Sequence, residues 1–577
     1  MRQDLLRKKT AILLLLFIGM SLYFNSFFND FFISDDEDQI LFNTKIQSVK
    51  NIPSFFVGST YFRKEQKASY GPFYRPMMTT TYTLIYSLFG PDPLYFHLTQ
   101  TLFHISNSII LLLFFSTLFP IAYAFIPSLL FLVHPINSET VLHSANLQDV
   151  LFIFFGLLAL LHLSNFKKTK PSLIAYFQIT LLLLLSYFSK ETGLLFSGLI
   201  IIYAYIFVKK HILKVCVASF ISVSMFFYFR FNIAGLGMHS VSIAKITHAS
   251  FAIRLIHIPK IVVTYLSTFI FPWNISIMHL WYIEQINIIN VWFPLILLIT
   301  FCILFVFLIP IKIYKKAIHT CKTYVFFLLW FIIGLSLHLQ IIPLEVPYAD
   351  RYFYLPIIGL LGMLLTIYVS LLSKTKIYKL FLSIIICILI IYSGLTLKRT
   401  FEWRNSEILL IHDLNIDPGN YYLQNLLGTI YIRNENYTKA EPLIHNSIAS
   451  YRFFGNINNY AIIQLHKNSI DEAITLFEEA IELSGNYTTY VNLANVLFYE
   501  KQDIEQAKLF TTNSLHKYPY SSPLLVVLAQ SDYLLGNYDE ALKHAIKANT
   551  IDDNNYTKDV LIIIQNKQDL KINKIYE

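Results

Sequence analysis

Long apolar runs separated by short polar connections fill the chain from Ala11 to about Leu397, and the sequence turns polar after Lys398. A membrane-spanning helix needs about 20 predominantly apolar residues, or fewer where neighbouring protein shields its ends. Eleven runs fit this requirement, roughly 11–32, 95–119, 121–136, 147–165, 172–188, 192–208, 212–230, 289–311, 323–342, 352–373 and 377–397. The pattern predicts an all-α protein with a polytopic membrane domain and a polar helical domain after it.

Basic residues in the short connections predict the topology of these spans. The connections with dense positive charge are Arg7–Lys9, Lys167–Lys170, Lys209–His211, Lys312–Lys322 and Lys374–Lys376. The positive-inside rule places all of them in the cytoplasm. Eleven spans satisfy the rule if the apolar segment 251–272 lies at the outer interface as an amphipathic helix. The N-terminus is then inside, and the C-terminal domain is outside. The first span lacks a small-residue cleavage site and is predicted to be a retained anchor.

Composition supports a membrane protein and argues against a nucleic-acid partner. Hydrophobic residues make up 55% of the 577 residues and charged residues only 14%, whereas soluble domains carry about 25% charged residues. The net charge of +9 comes from loops beside apolar spans, which is a topology signal. The four cysteines, Cys216, Cys302, Cys321 and Cys387, lack zinc-site spacing and are predicted to fill apolar space.

A repeat with a period of about 34 residues begins at Asn420. Small residues mark it at Ala440, Ala473, Ala507 and Ala541, and about twelve positions earlier at Gly428, Ala461, Ala494 and Ala529. This is the tetratricopeptide-repeat pattern, in which small residues stand where the two helices of each hairpin touch. We therefore predict a membrane domain over 1–397, a connecting half repeat over 398–419 and about four repeats over 420–577. Such arrays bind peptides or proteins on a concave face; the alternative is that they brace the membrane domain.

Five polar motifs fall in connections that the predicted topology places outside, the first two of them in a long outer loop over 33–94. They are Asp35-Asp36-Glu37-Asp38, Tyr74-Arg75-Pro76, His134-Pro135-Ile136-Asn137-Ser138-Glu139, Ser189-Lys190-Glu191 and Ala349-Asp350-Arg351-Tyr352. Ionisable groups beside hydrocarbon are costly and tend to be functional. Their gathering on one side predicts a site at the outer membrane edge.

In order and spacing, these motifs and the trailing repeats resemble one family over nearly the whole chain. It is the transmembrane and tetratricopeptide-repeat O-mannosyltransferase family with its bacterial relatives, within the GT-C glycosyltransferase superfamily. One departure concerns a motif in which the family usually has Arg followed by Asp. This sequence has Gln148 in place of the arginine and keeps the aspartate as Asp149. The resemblance implies a transferase that moves a mannose-like sugar, with inversion, from a polyprenyl- or dolichyl-phosphate donor. The acceptors would be Ser or Thr hydroxyls of exported proteins, bound by the repeats. The reaction would occur at the periplasmic face of a bacterial inner membrane, or at a lumenal face in a eukaryote.

A weakly nucleophilic hydroxyl needs a base, and a departing lipid phosphate needs cations. By the resemblance we predict Asp35 as general base, with Asp36 positioning the acceptor or donor. The predicted phosphate-binding residues are Arg351, Lys190 and Arg75. The predicted supporting residues of the cleft are His134, Glu139, Glu191, Asp350 and Tyr352. We assign no metal ligands, since His134 and Glu139 alone are too few, and leave a divalent cation open.

Structural interpretations of the same residues remain as alternatives. Asp35 and Asp36 can simply end a membrane anchor in a solvated acidic run. Arg351 can pair with Asp350 or Glu345, and Lys190 with Glu191. Two other functions also fit the pattern: a GT-C transferase acting on a lipid or polysaccharide acceptor, and a non-catalytic membrane-anchored scaffold for an envelope complex.

Overall fold

The computed structural model describes residues 2–63, 68–167, 170–237, 244–344, 346–372, 378–484 and 487–568. The chain divides into two compact units. The first comprises Met1–Thr60 and Gly71–Ile416, and the second comprises Tyr61–Tyr70 and Asp417–Glu577. The division after Ile416 falls within the segment 398–419 that the sequence predicts as a connection. Part of the basic loop 167–170 and the whole of the loop 374–376 lie outside the described residues, as does Glu345.

The first unit is mainly helical over its described residues. Its helices are α1 (Arg2–Tyr23), α2 (Pro76–Phe89), α3 (Pro93–Phe115), α4 (Ile121–Val133), α5 (Ser138–Leu142), α6 (Leu147–Ser164), α7 (Leu173–Ser189), α8 (Leu195–Phe207), α9 (Ile212–Phe227), α10 (Phe251–Ile270), α11 (Phe293–Phe301), α12 (Ile309–Lys316), α13 (Ile318–Ser336), α14 (Pro356–Ile367), α15 (Tyr378–Glu402) and α16 (Ser406–Ile416). Single 3₁₀ or π turns lengthen several of them, such as Tyr228–Ile233 after α9.

The polar motifs stand at helix ends for reasons of backbone chemistry. Proline is the first residue of α2 and of α14, and it suits that position because it has no N–H that would need a partner. Arg75 therefore caps α2, and Arg351 lies in the short turn Asp350–Phe353 before α14. Lys190 follows the last residue of α7, where the backbone becomes extended.

Among the described residues, eight helices are long and apolar enough to cross a membrane, or nine if the bent pair Ile121–Val133 and Pro135–Leu142 counts as one span. Three further predicted spans form shorter apolar helices, Leu173–Ser189, Glu191–Phe207 and Pro356–Leu371. Each of the eleven predicted spans thus coincides with a helix. The all-α, multi-pass fold is confirmed, although the three short helices meet the length requirement only in part.

Helix α10 also meets the criterion of length and composition, although the topology predicts that it does not cross. Near its start, Arg254 Nη1 donates to the carbonyl of Ile341, at 3.4 Å. Further along, Tyr265 OH donates to the carbonyl of Ala349, at 3.1 Å. In its last turn, the carbonyl of Phe269 accepts from His134 Nε2, at 3.0 Å. The three partners of α10, namely Ile341, Ala349 and His134, all belong to connections that carry or adjoin the polar motifs. The start and the last turn of α10 therefore both contact the end of the bundle where these motifs lie.

The second unit contains the repeats and a short hairpin. Its helices pair as α17 (Tyr421–Arg433) with α18 (Tyr437–Ser450), α19 (Phe454–His466) with α20 (Ile470–Ser484), α21 (Tyr487–Asn495) with α22 (Ile504–Lys517), and α23 (Ser522–Leu534) with α24 (Tyr538–Ile551), followed by α25 (Asn555–Gln565). In the hairpin, β1 (Tyr61–Arg63) pairs antiparallel with β2 (Ala68–Tyr70), with Tyr61 opposite Tyr70.

The small residues of the repeat pattern lie where the helices of each pair meet. Ala440, Ala473, Ala507 and Ala541 are each fully buried. A Cβ atom on Gly428 would lie 2.5 Å from Cδ1 of Ile444 on the partner helix, closer than two carbon atoms pack. Four helix pairs with α25 after them confirm the predicted tetratricopeptide-repeat solenoid.

Candidate functional site

Asp36 and Asp35 follow α1 side by side in the chain but have opposite surroundings. The Asp36 side chain is 1% exposed. Its Oδ2 accepts from the backbone N–H of Phe32 at 2.8 Å, and its Oδ1 accepts from that of Ala145 at 2.6 Å. Burial raises the pKa of Asp36 to about 8. Because backbone amides already occupy both oxygens, Asp36 ties the first outer loop to the segment before α6.

Asp35 is solvent-exposed, yet the protein around it affects its ionisation. Desolvation by that protein raises the pKa of Asp35, and the guanidinium groups of Arg351 and Arg75 lower it. The carboxyl group of Asp35 is thus open to solvent and within electrostatic range of two arginines. The structure therefore does not place Asp35 in a freely solvated acidic run.

Arg351 is held by Glu139, which lies in α5. Glu139 Oε2 accepts from the backbone N–H of Arg351 at 2.9 Å, and Oε1 accepts from the Arg351 guanidinium. The Glu139 side chain is 1% exposed and that of Arg351 is 19% exposed. The partner of Arg351 is thus a carboxylate 212 residues away in the chain and not the adjacent Asp350, whereas the other anticipated partner, Glu345, lies outside the described residues.

Lys190 pairs with Asp149 in α6 and not with its neighbour Glu191. The distance from Lys190 Nζ to Asp149 Oδ1 is 2.7 Å, and both side chains are buried. Desolvation lowers the pKa of Lys190, Asp149 raises it, and the charges of Arg75 and Arg351 lower it. The Lys190 ammonium lies 5.8 Å from the ring centre of Tyr352, and the guanidinium carbon of Arg351 lies 5.2 Å from the same ring.

Glu191 instead holds two arginines. Its Oε1 accepts from Arg230 Nη1 at 2.7 Å, and its Oε2 lies 3.6 Å from Arg75 Nε. Glu191 also accepts from the backbone N–H of Tyr74, at 3.2 Å. The Nε of Arg75 is buried without a hydrogen bond within the described part of the chain. Arg75 is therefore held by its charge interaction with Glu191, and its Nε–H can still donate a hydrogen bond.

The electrostatic contacts bring the predicted residues to one place. Arg351 and Arg75 each act on the ionisation of both Asp35 and Lys190. The carboxylate of Asp35 is thus within electrostatic range of Arg351 and Arg75, which in turn act on Lys190. Each of the three cations has a carboxylate partner of its own. Such a cluster can take up a proton at Asp35 and can bind an anionic group at its cations.

Two of the predicted supporting residues serve other contacts. His134 is fully buried: its Nε2 donates to Phe269, its Nδ1 accepts from the N–H of Ile136 at 3.2 Å, and its ring stacks on that of Phe269. Asp350 is buried and accepts from the hydroxyl of Tyr348 at 2.8 Å. His134 therefore packs the bundle end, and Asp350 supports the turn that carries Arg351.

Sequence reasoning missed Arg230 and His338 and noted Asp149 only as part of a motif. Arg230 and His338 stand near the ends of apolar runs, where a single charged or imidazole group is a usable signal. The ring of His338 stacks on Tyr352 with 4.4 Å between ring centres. The same ring of Tyr352 is approached by the cations of Lys190 and Arg351.

Within the described ranges, no group of three or more His, Cys, Asp or Glu residues is arranged to hold a metal ion.

No protein-family model matches the chain. It is similar to Protein O-mannosyl-transferase TMTC3 of Homo sapiens, with 28% identity over 194 residues, which cover 33% of this chain and 21% of the relative. It is also similar to Protein O-mannosyl-transferase TMTC4 of Mus musculus, with 29% identity over 170 residues, covering 26% and 23%. The chain thus spans about a fifth of the length of these relatives. These relatives confirm the resemblance that the motifs predict.

Two solved structures resemble the chain at low TM-scores. One is YrrB, described as a tetratricopeptide-repeat protein with an unusual peptide-binding site, with a TM-score of 0.24, 14% identity and coverage of 28% of this chain and 82% of that one. The other is the Cut9-Hcn1 hetero-tetramer of the APC/C, with a TM-score of 0.26, 13% identity and coverage of 85% and 89%. These two likenesses carry no argument about function.

Proposed function

We propose that the chain is a membrane glycosyltransferase that transfers a mannose-like sugar from a polyprenyl-phosphate-linked donor to Ser or Thr hydroxyls of exported proteins. The observation that carries the proposal is that the exposed carboxylate of Asp35 lies within electrostatic range of Arg351 and Arg75, two cations held by the carboxylates of Glu139 and Glu191. The named relatives are protein O-mannosyl-transferases, which supports a sugar as the transferred group and a protein as the acceptor.

In the proposed reaction, Asp35 accepts the hydroxyl proton while the hydroxyl oxygen attacks the anomeric carbon. The bond from that carbon to the lipid phosphate oxygen breaks, and the phosphate leaves with the bonding electrons. One displacement inverts the anomeric centre and needs a single base. A raised pKa makes Asp35 a stronger base than a free carboxylate, and the charges of the adjacent arginines oppose that rise.

Arg351, Lys190 and Arg75 are the proposed ligands of the donor phosphate. Each is held from the protein side by one carboxylate, namely Glu139, Asp149 and Glu191 respectively. These partners fix the direction of the cations before the donor arrives. Preorganised positive groups at the site of developing negative charge are the usual largest source of stabilisation in a transition state.

The basic connections and the contacts of α10 support a site on the outer face. If α10 lies along the outer end of the bundle, the chain has an odd number of crossings and all basic loops stay inside. We therefore propose a cytoplasmic N-terminus, an external repeat domain and a reaction at the periplasmic or lumenal face. Within this proposal, the repeats bind the protein acceptor.

The proposal is tested by replacing the base and leaving the rest of the site unchanged. Asp35→Asn should reduce sugar transfer by a factor of roughly 10²–10⁴, the usual contribution of a positioned general base. Asp38→Asn, at an exposed acid three residues away, is the matched control and should transfer at the parental rate. The assay is transfer from a polyprenyl-phosphate mannose to a Ser/Thr peptide by the purified chain in nanodiscs.

Equal transfer by Asp35→Asn and the parent would remove Asp35 as the base. Transfer to a lipid or glycan but not to the peptide would assign a different acceptor. No transfer to any acceptor by the parent, with mass spectrometry of exported proteins unchanged on deletion, would favour the scaffold interpretation.

A further inference from the structure

Arg230 is a buried arginine beside the proposed phosphate ligands, and the proposed reaction gives it no role. It lies in the π turn Tyr228–Ile233 that continues α9, and its side chain is 6% exposed. A buried charge at the edge of an apolar run is costly, and such residues tend to be functional. Single π turns within helices are also frequent at functional sites. The burial and position of Arg230 therefore indicate a role in the site.

The guanidinium of Arg230 makes one ion pair and two bonds to main-chain carbonyls. Its Nη1 donates to Glu191 Oε1 at 2.7 Å. Its Nη2 donates to the carbonyl of Pro72 at 2.9 Å and to that of Gly237 at 3.3 Å. Pro72 stands three residues before Arg75 in the chain. Arg230 thus fixes the start of the segment that carries this proposed phosphate ligand.

The two oxygens of Glu191 contact their arginines at different distances. Oε1 is 2.7 Å from Arg230 Nη1, whereas Oε2 is 3.6 Å from Arg75 Nε. Hydrogen bonds from nitrogen to oxygen are normally about 2.7–3.2 Å long, so the second contact is a charge interaction only. The Nε of Arg75 is accordingly buried without a hydrogen bond among the described residues. Glu191 therefore bonds to Arg230 and leaves the Nε–H of Arg75 available.

Arg75 differs in this respect from the other two proposed phosphate ligands. The Lys190 ammonium lies 2.7 Å from its carboxylate partner, and the Arg351 guanidinium donates directly to its own. Arg75 instead shares the carboxylate of Glu191 with Arg230. Two guanidinium groups at one carboxylate leave one positive charge in excess at this point, which matches the single negative charge of a sugar phosphodiester.

We propose that Arg230 is a positioning residue of the donor site: its ion pair with Glu191 keeps the Arg75 guanidinium available to the phosphate of a lipid-linked sugar. Without the Arg230 charge, Glu191 would turn to Arg75 and close the distance of 3.6 Å to a direct hydrogen bond. Such charge-assisted bonds are about twice as strong as neutral ones, so the phosphate would have to compete with a carboxylate. The identification of the phosphate as that of a sugar donor rests on the proposed function.

The test measures binding of radiolabelled farnesyl phosphate to the full-length chain in nanodiscs, with no acceptor present. Farnesol, which lacks the phosphate, and inorganic phosphate, which lacks the lipid, are the competing ligands. The matched control is Arg254→Gln, which removes another arginine whose Nη1 donates to a main-chain carbonyl, that of Ile341 at 3.4 Å. Thermal unfolding is recorded for every variant, so that affinities are compared among folded chains.

Arg230→Gln should bind farnesyl phosphate roughly tenfold more weakly than the parent, as expected for the loss of one hydrogen bond to a charged group. Arg254→Gln should bind like the parent. Glu191→Gln alone should bind at least as tightly as the parent, because a neutral amide does not compete for Arg75. The double variant Arg230→Gln/Glu191→Gln should recover the parental affinity for the same reason. An arginine that only fixed the segment before Arg75 would give no such recovery.

Equal affinities of Arg230→Gln and Arg254→Gln would overturn the inference even where sugar transfer occurs. A double variant as weak as Arg230→Gln, or weaker binding by Glu191→Gln, would do the same. Displacement of the probe by farnesol or by inorganic phosphate as effective as that by unlabelled farnesyl phosphate would overturn the lipid-linked phosphate as the ligand. The expected recovery in a chain that transfers no sugar would support the role of Arg230 and count against the transferase proposal alone.

Discussion

The ion pair between Glu139 and Arg351 gives the sharpest test of how the site is held. Glu139→Gln keeps the shape of the side chain and removes its charge. In the parent, one carboxylate oxygen accepts from the Arg351 backbone N–H at 2.9 Å and the other accepts from its guanidinium. A glutamine has one acceptor oxygen, so its NH₂ group must face one of these two donors. The guanidinium also loses its counter-charge.

The expected loss follows from the burial of both partners. The side chain of Glu139 is 1% exposed and that of Arg351 is 19% exposed. Removing one partner of a buried ion pair costs about 3–5 kcal/mol, because the other charge is left uncompensated. Arg351 retains some contact with solvent, so we expect about 3 kcal/mol. The control is Glu284→Gln, where a 70% exposed carboxylate lies 3.4 Å from Lys245, and roughly 0–1 kcal/mol is expected for such a surface pair.

Unfolding free energies are measured by SDS titration in mixed micelles. The double variant Glu139→Gln/Arg351→Gln should be destabilised less than the sum of its single variants, with a coupling of about 1–3 kcal/mol. If Glu139→Gln lowers the free energy of unfolding as little as Glu284→Gln does, the inference that Glu139 and Arg351 form a buried ion pair is refuted. Additive single losses would show that the two side chains do not act on each other.

Three further outcomes follow from the same geometry. Because desolvation raises the pKa of Asp35 and the base must be ionised, kcat/KM should fall with decreasing pH already above the range of a free carboxyl, about 3.9; a flat profile down to that range would contradict this. Asp36→Asn leaves one backbone N–H without an acceptor, so the free energy of unfolding should drop by about 1–3 kcal/mol. A Cβ on Gly359 would lie 2.5 Å from the backbone N of Phe331, whereas Gly394 has open space. Gly359→Ala should therefore lower the thermal midpoint, and Gly394→Ala should not.

The helices and repeats were predictable because their signals are local. Apolar runs of sufficient length can satisfy their backbone groups only as helices in a membrane, and every predicted span coincides with a helix. The repeat alanines were visible at a fixed period, and Ala440 and Ala541 are fully buried as that period implies. The three short helices α7, α8 and α14 show where the length argument weakens, since helix neighbours within the bundle can shield their ends.

The pairing of charges was not predictable because it depends on which helix ends meet. Lys190 could have paired with the adjacent Glu191, yet the fold brings it to Asp149, 41 residues away in the chain. Arg351 likewise meets Glu139, 212 residues away. The sequence alone gives no reason to distinguish the environments of Asp35 and Asp36. They differ because successive residues of a turn point in different directions, and only Asp36 points towards the amides of Phe32 and Ala145.

The carboxylate behind each proposed phosphate ligand has a consequence for turnover. Unpaired cations would hold the lipid phosphate product about as strongly as the donor, and product release often limits enzyme turnover. Glu139, Asp149 and Glu191 can re-form their full ion pairs with Arg351, Lys190 and Arg75 when the phosphate leaves. If these cations bind the donor phosphate as proposed, the pairs would orient them for the transition state and would also compete with the product. On this reasoning, weakening a carboxylate partner without unfolding the site should tighten product binding and lower kcat more than it raises KM.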